Sequence, residues 1–130
     1  MDLDRFTGIP SDARCMDCAD LAMLVQRELF GREVLLPGKR PRPLHPDEQD
    51  AAIAAYRAQL ADPVVTPRDG DLVMMREIGA HTAGHIGTYF FRNYTPCVLH
   101  TTALLGFSVL HMLRDLSGTG LKVEGFYRWK

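Results

Sequence analysis

Along residues 18–30, CADLAMLVQRELF, apolar positions Cys18, Leu21, Ala22, Val25 and Leu29 recur at three- and four-residue steps. That period predicts a helix with one buried face. Asp17 suits its N-cap and Gly31 its C-terminal stop. Residues 35–46, LLPGKRPRPLHP, hold four prolines and a glycine and read as a loop. A second helix is expected from Pro46 or Asp47 to Ala61, with Ile53, Tyr56 and Leu60 facing inward. Pro46 fits a first helical position, and Asp47 and Glu48 fit the positive end of the helix dipole.

Beyond Ala61 the texture changes. Asp69-Gly70-Asp71 reads as a turn and LVMM (72–75) as a short buried strand, followed by a polar, glycine-bearing connection over 79–84. IGTYFF (86–91) and CVLHT (97–101) read as two more strands, joined by a turn between Arg92 and Pro96. FSVLHMLRDL (107–116) has the spacing of a short helix closed by Ser117-Gly118, and KVEGFYRW (122–129) reads as a final strand. Helices first and mostly antiparallel strands after them predict an α+β fold, with the N-terminal helices packed on one face of the sheet. There is no internal repeat or low-complexity segment.

Composition narrows the function classes. A chain of 130 residues fits a single domain, 1–130. With 46% hydrophobic and 24% charged residues, wholesale disorder is excluded. A net charge of -1 provides no electrostatic footprint for nucleic acid. Asp2, Asp4 and Arg5 interrupt any apolar core at the start, so a secretory signal peptide is not expected. No residue from Asn93 to Leu113 carries a formal charge, but His100, Ser108, His111 and several threonines make a membrane span untenable there. Direct membrane insertion is therefore not expected. Three cysteines are too few, and odd in number, for a disulfide framework.

The polar residues support three chemistries. Cys18, at the start of the first helix, is a candidate nucleophile, because the helix dipole and the unpaired backbone N–H groups both favour a thiolate. Asp17 opposes this as a neighbouring negative charge. A nucleophilic thiol needs a base, and His85 and His100 begin and end successive strands. In an antiparallel hairpin those positions are neighbours, so one imidazole can act as base and the other orient it. The bland alternative is a core cysteine and two strand-end histidines. Secondly, Cys15, Cys18, Cys97 and His100 have the ligand types and CxxC/CxxH spacing of a structural zinc site, although no zinc-knuckle turn surrounds them. Thirdly, a redox CxxC would need a preceding strand, which residues 1–14 lack. A zinc deaminase is excluded, because Pro96-Cys97 lacks the second cysteine of its half-motif. Met74 and Met75 read as core, Lys39, Arg40 and Arg42 as a solvated basic loop, and His45, His81 and His111 carry no specific signal.

Four segments stand in a specific order: DCADLAMLVQRELFG (17–31), GDLVMMR (70–76), HIGTYF (85–90) and VLHT (98–101). Together they resemble the NlpC-type cell-wall peptidases, a papain-like cysteine peptidase family, and most closely the branch carried in the tails of long-tailed bacteriophages. VEGFYRW (123–129) is similar to the closing strand of phage-tail members. The resemblance spans about residues 14–129. It implies a papain-like fold with Cys18 as nucleophile, His85 as general base and His100 as the residue fixing the tautomer of His85. Asp17 would touch substrate, and no cofactor or metal would be needed. The implied substrates are peptidoglycan stem peptides, cut in the host envelope by a virion tail protein made in the host cytoplasm among other tail proteins. Ala19 and Asp20 depart from the small hydroxyl residue and glycine common after the cysteine, and the fifteen-residue step from His85 to His100 implies a longer turn over 91–96. Two alternatives remain: a tail-assembly protein that keeps the fold without activity, and a zinc-stabilised interaction module.

Overall fold

A computed structural model describes residues 2–12, 14–34, 55, 57–79 and 84–130. Helix α1 spans Cys18–Phe30, with both ends closed by the residues that the sequence singled out. Asp17 Oδ1 accepts from the Asp20 N–H at 3.0 Å, and Asp20 Oδ2 accepts from the Asp17 N–H at 2.9 Å. This reciprocal box satisfies two orphan donors of the first turn. Gly31 ends the helix in the left-handed region at φ 62°.

Six strands follow: β1 (Ala61–Val64), β2 (Leu72–Glu77), β3 (His85–Arg92), β4 (Thr95–Thr101), β5 (Ser108–Met112) and β6 (Leu121–Trp129). They form one sheet in the order β1-β6-β2-β3-β4-β5, with every neighbouring pair antiparallel. The expected α+β class with an antiparallel sheet is thus observed. Strand alternation divides the core. On one face Leu72, Met74, Ile86, Phe90 and Leu99 meet Ala19, Leu21, Ala22 and Val25 of α1. On the other, Val73, Met75, Tyr89 and Val98 meet Leu116 and Leu121. Each fully buried large side chain contributes about 1.5–3 kcal/mol, so α1 is held by its packing more than by its propensity.

Three expectations need correction. The helix foreseen over 107–116 is strand β5 followed by a 3-10 segment, Leu113–Thr119. Val109, Leu110, Leu113 and Leu116 mimic a helical period, but the open edge of β4 offers five residue pairings to an extended Ser108–Met112. Long-range pairing overrides the local pattern. Ala61 does not end a helix but opens β1, opposite Trp129. Residues 57–60 are helical, whereas Ile53, Tyr56 and the expected helix start lie outside the described residues, as do the 35–46 loop and 80–83. Finally, no long turn separates β3 from β4. Arg92 pairs with Thr95, and Asn93 and Tyr94 make a two-residue turn at φ 51° and 59°. Positive φ at both positions is the twist-matched hairpin turn. The extra residues between His85 and His100 lengthen the strands.

The uncharged 93–113 run accordingly becomes β4, β5 and their connections. Among the described residues, no helix is long and apolar enough to cross a membrane. N-terminal residues run along β5: Gly8 N–H donates to Ser108 O, Ser108 N–H to Ile9 O and Ser11 N–H to Gly106 O. Ser108 Oγ also donates to Phe6 O at 2.6 Å.

The Gly70-Asp71 turn forms a buried polar hub where β2 begins. Gly70 O accepts from Gln26 Nε2 at 3.0 Å and from Trp129 Nε1 at 3.2 Å. Gly70 sits at φ 94°, and a Cβ there would lie 2.8 Å from the Phe30 ring, so glycine is required for both reasons. The buried Asp71 carboxylate accepts from Arg128 Nη2 at 2.9 Å, Arg128 Nε at 3.2 Å and the Arg68 N–H at 2.9 Å.

Candidate active site

At the opposite end of the strands, the start of α1 meets the end of β2, the start of β3 and the end of β4. A cleft of about 320 Å³ lies there, lined by Asp17, Cys18, Glu77, His85, Thr101 and Leu121 among others. It adjoins a larger depression of about 530 Å³, into which Ile78, Leu104 and Leu105 bring apolar surface. The two share Glu77, Thr102 and Leu121.

Cys18 is the first residue of α1 and half-buried. The thiol thus lies at the positive end of a capped helix, where a thiolate and a developing oxyanion are both favoured. Asp17 lines the same cleft, but its visible work is structural, because one of its carboxylate oxygens caps the helix.

His85 opens β3, and its Nε2 lies 2.8 Å from His100 Nδ1. The two residues are thus neighbours, as hairpin geometry predicts. The β3–β4 register runs Thr88↔Leu99 and Tyr89↔Val98. Continued inward, it sets Gly87 opposite His100 and His85 one diagonal step away. Gly87 has a definite task in this arrangement. A Cβ there would lie 2.5 Å from Val98 Cγ2, 2.9 Å from Leu99 O and 3.1 Å from His100 Cβ. Only a glycine fits against Val98 and Leu99 where β3 passes His100.

The same alternation places His85 and His100 on the sheet face of Tyr89 and Val98, while α1 covers the other face. Cys18 and His85 consequently approach the cleft from the two sides of the sheet's end. The structure brings His85 and His100 into direct contact, and it brings Cys18 and His85 to a common cleft.

His100 is 0% exposed. Burial lowers its pKa from 6.5 to about 3, with the positive charges of His85 and His111 adding to the effect. Burial likewise lowers the pKa of His85 to about 4. Both rings are neutral at pH 7. With Nε2 of His85 committed to His100, Nδ1 is the ring nitrogen left for a proton from the cleft.

One residue in this cluster had no signal in the sequence. His111 on β5 places its Nδ1 2.8 Å from His100 Nε2. It faces Val98 across the β4–β5 ladder, again one diagonal step from His100. Reading 108–112 as an alternating strand would have revealed it; reading the segment as a helix hid it.

The residues considered for zinc do not converge. Cys15 is exposed and Cys97 buried. Cys97 and His100, three apart in an extended strand, face opposite sides of the sheet. Among the described residues, no group of three or more His, Cys, Asp or Glu side chains is placed to hold a metal ion. Compared with known families and curated proteins, the chain matches no family model and no curated sequence.

Proposed function

We propose that the protein is a papain-like cysteine peptidase of the NlpC type, hydrolysing amide bonds of peptidoglycan stem peptides as part of a phage tail. The observation that carries this reading is one cleft shared by a helix-start thiol, Cys18, and a neutral imidazole, His85, itself hydrogen-bonded to a buried second imidazole, His100. The phage-tail setting, with other tail proteins as partners and the host envelope as place of action, follows from the sequence resemblance.

In this mechanism His85 Nδ1 takes the Cys18 thiol proton as sulfur attacks the carbonyl carbon. The oxyanion forms beside the first turn of α1, whose N–H groups carry the positive end of the dipole. The C–N bond then breaks and the amine leaves with the proton from His85, giving a Cys18 thioester. A water gives its proton to His85 and its oxygen to the acyl carbon. Sulfur leaves, recovers the proton, and the carboxylic acid is released. His100 holds the His85 ring throughout. The adjoining depression gives an extended peptide room beyond the reacting bond.

Purified protein incubated with muropeptides should release new amine groups. Cys18→Ala should lower that release by at least about 10³-fold with an unchanged thermal midpoint. A folded wild type that releases no amine, or a Cys18→Ala protein that cuts equally well, overturns the reading. A structural tail component is the second reading, favoured by the exposed apolar side chains Val65, Ile78, Tyr94 and Leu104. It requires Cys18→Ala phage to assemble and infect normally.

A further inference from the structure

Three imidazoles run diagonally across three adjacent strands, His85 on β3, His100 on β4 and His111 on β5. They are joined by Nε2–Nδ1 contacts of 2.8 Å at each step. We propose that His111 is a positioning residue whose Nδ1 accepts from His100 Nε2–H, so that the polarity of the whole chain is set and His85 presents a bare Nδ1 to the cleft.

Each link needs one N–H and one lone pair. His100, the middle ring, is fully buried and neutral, so it carries a single N–H. If that proton sits on Nε2, His100 donates to His111 and must accept from His85. His85 then holds its proton on Nε2 and keeps Nδ1 bare, the form a general base requires. If the proton sits on Nδ1, every bond reverses. His111 would donate from Nδ1, and His85 would turn an N–H toward the cleft and be useless as a base. No third arrangement exists for a neutral chain. The state of His111 Nδ1 therefore decides the state of His85 Nδ1, two residues and two hydrogen bonds away. The productive polarity has all three rings in the Nε2–H form, which is also the preferred form of the free side chain. His111 is half-buried on the last strand of the sheet, with its Nε2 outside this chain of bonds.

The catalytic meaning of this assignment rests on the peptidase reading, but the tautomers do not. The test is nitrogen NMR of the full chain labelled at histidine, at pH 7.5, for wild type, His111→Leu and His111→Asn. It is paired with the rate of Cys18 alkylation by iodoacetamide. In the wild type, His85, His100 and His111 should each show a protonated Nε2 and a bare Nδ1. His111→Leu removes the acceptor, so His85 should become a mixture of tautomers and Cys18 alkylation should slow in proportion to the share of His85 protonated on Nδ1. His111→Asn keeps an acceptor oxygen and should restore the wild-type His85 signature. A wild-type His85 protonated on Nδ1, or a folded His111→Leu protein whose His85 keeps its wild-type signature, overturns the proposal. Tautomers as stated with a Cys18 that alkylates no faster than Cys15 would remove the peptidase reading and leave the assignment of His111 standing.

Discussion

The sheet has a buried polar cluster at each end, and the two are built on opposite plans. Where β2 begins, Gly70, Asp71, Gln26, Arg128 and Trp129 tie a helix, a turn and the last strand together. The carboxylate there is met by a guanidinium and a backbone N–H, and Gln26 both donates to Gly70 and accepts from Arg32. Where β2 ends, three imidazoles bond to one another, and burial holds the inner rings neutral. The first plan joins different chemical types, satisfies each and serves cohesion. The second repeats one amphoteric group, so its protons can be arranged in two ways and its state is open to choice. A polar cluster of the first kind stabilises a fold, whereas one of the second kind is suited to chemistry.

The sharpest test of that contrast is Gln26→Ala. It removes both bonds of a side chain that is 0% exposed and leaves a cavity beside Gly70. We expect a loss of about 3 kcal/mol in urea unfolding, with Cys18 alkylation unchanged in the folded protein. Gly87→Ala should break the other end. Its Cβ would collide with Val98 and Leu99 O, costing about 2 kcal/mol and spreading the His85–His100 contact, with a slower Cys18 as the visible result.

Acid separates the clusters next. In the unfolded chain these imidazoles protonate near 6.5, whereas in the fold His85 waits until about 4 and His100 until about 3. The unfolded chain binds more protons throughout that interval, so stability is full above 6.5 and falls as pH drops towards 4. The fall is at most about 1.4 kcal/mol per pH unit for each ring. A urea midpoint that stays flat from pH 7.5 to 5 would contradict the lowered pKa values of His85 and His100. The smallest effect is that of Asp17→Ala. Loss of the cap should cost about 1 kcal/mol. Amine release from muropeptides should fall further than the lost stability explains only if Asp17 also touches substrate, and an unchanged rate would leave it a cap alone.

What the sequence disclosed divides along the same line. Helix α1 was legible to the residue, because Asp17, the apolar stripe and Gly31 are local signals. Strands β2, β3, β4 and β6 were legible from short apolar runs between turn residues. The contact of His85 with His100 followed from hairpin geometry, which also depends on near neighbours in the chain. Strand β5 was hidden, because Val109, Leu110, Leu113 and Leu116 satisfy a helical period and only the edge of β4 decides otherwise. His111 was lost with it, since a histidine on a helix there would have no reason to meet His100. The task of Gly87 was likewise invisible, because it depends on Val98 and Leu99 across the ladder. The Gly-Asp turn was legible as a turn, but its partners Gln26, Arg128 and Trp129 were not, and the third imidazole needed the register of two strand pairs.

The strap of N-terminal residues along β5 has a consequence for the order in which the chain takes shape. The bond between Ser108 Oγ and Phe6 O links positions 102 residues apart. During synthesis the N-terminal segment and α1 emerge first, with Cys18 among them, and they wait for most of the chain before β5 exists to receive the strap. The imidazole ladder is completed only with that strand. A nascent chain that still lacks β5 therefore carries the thiol and the first two imidazoles without the third, and docking of the strap and completion of the ladder wait for the same strand.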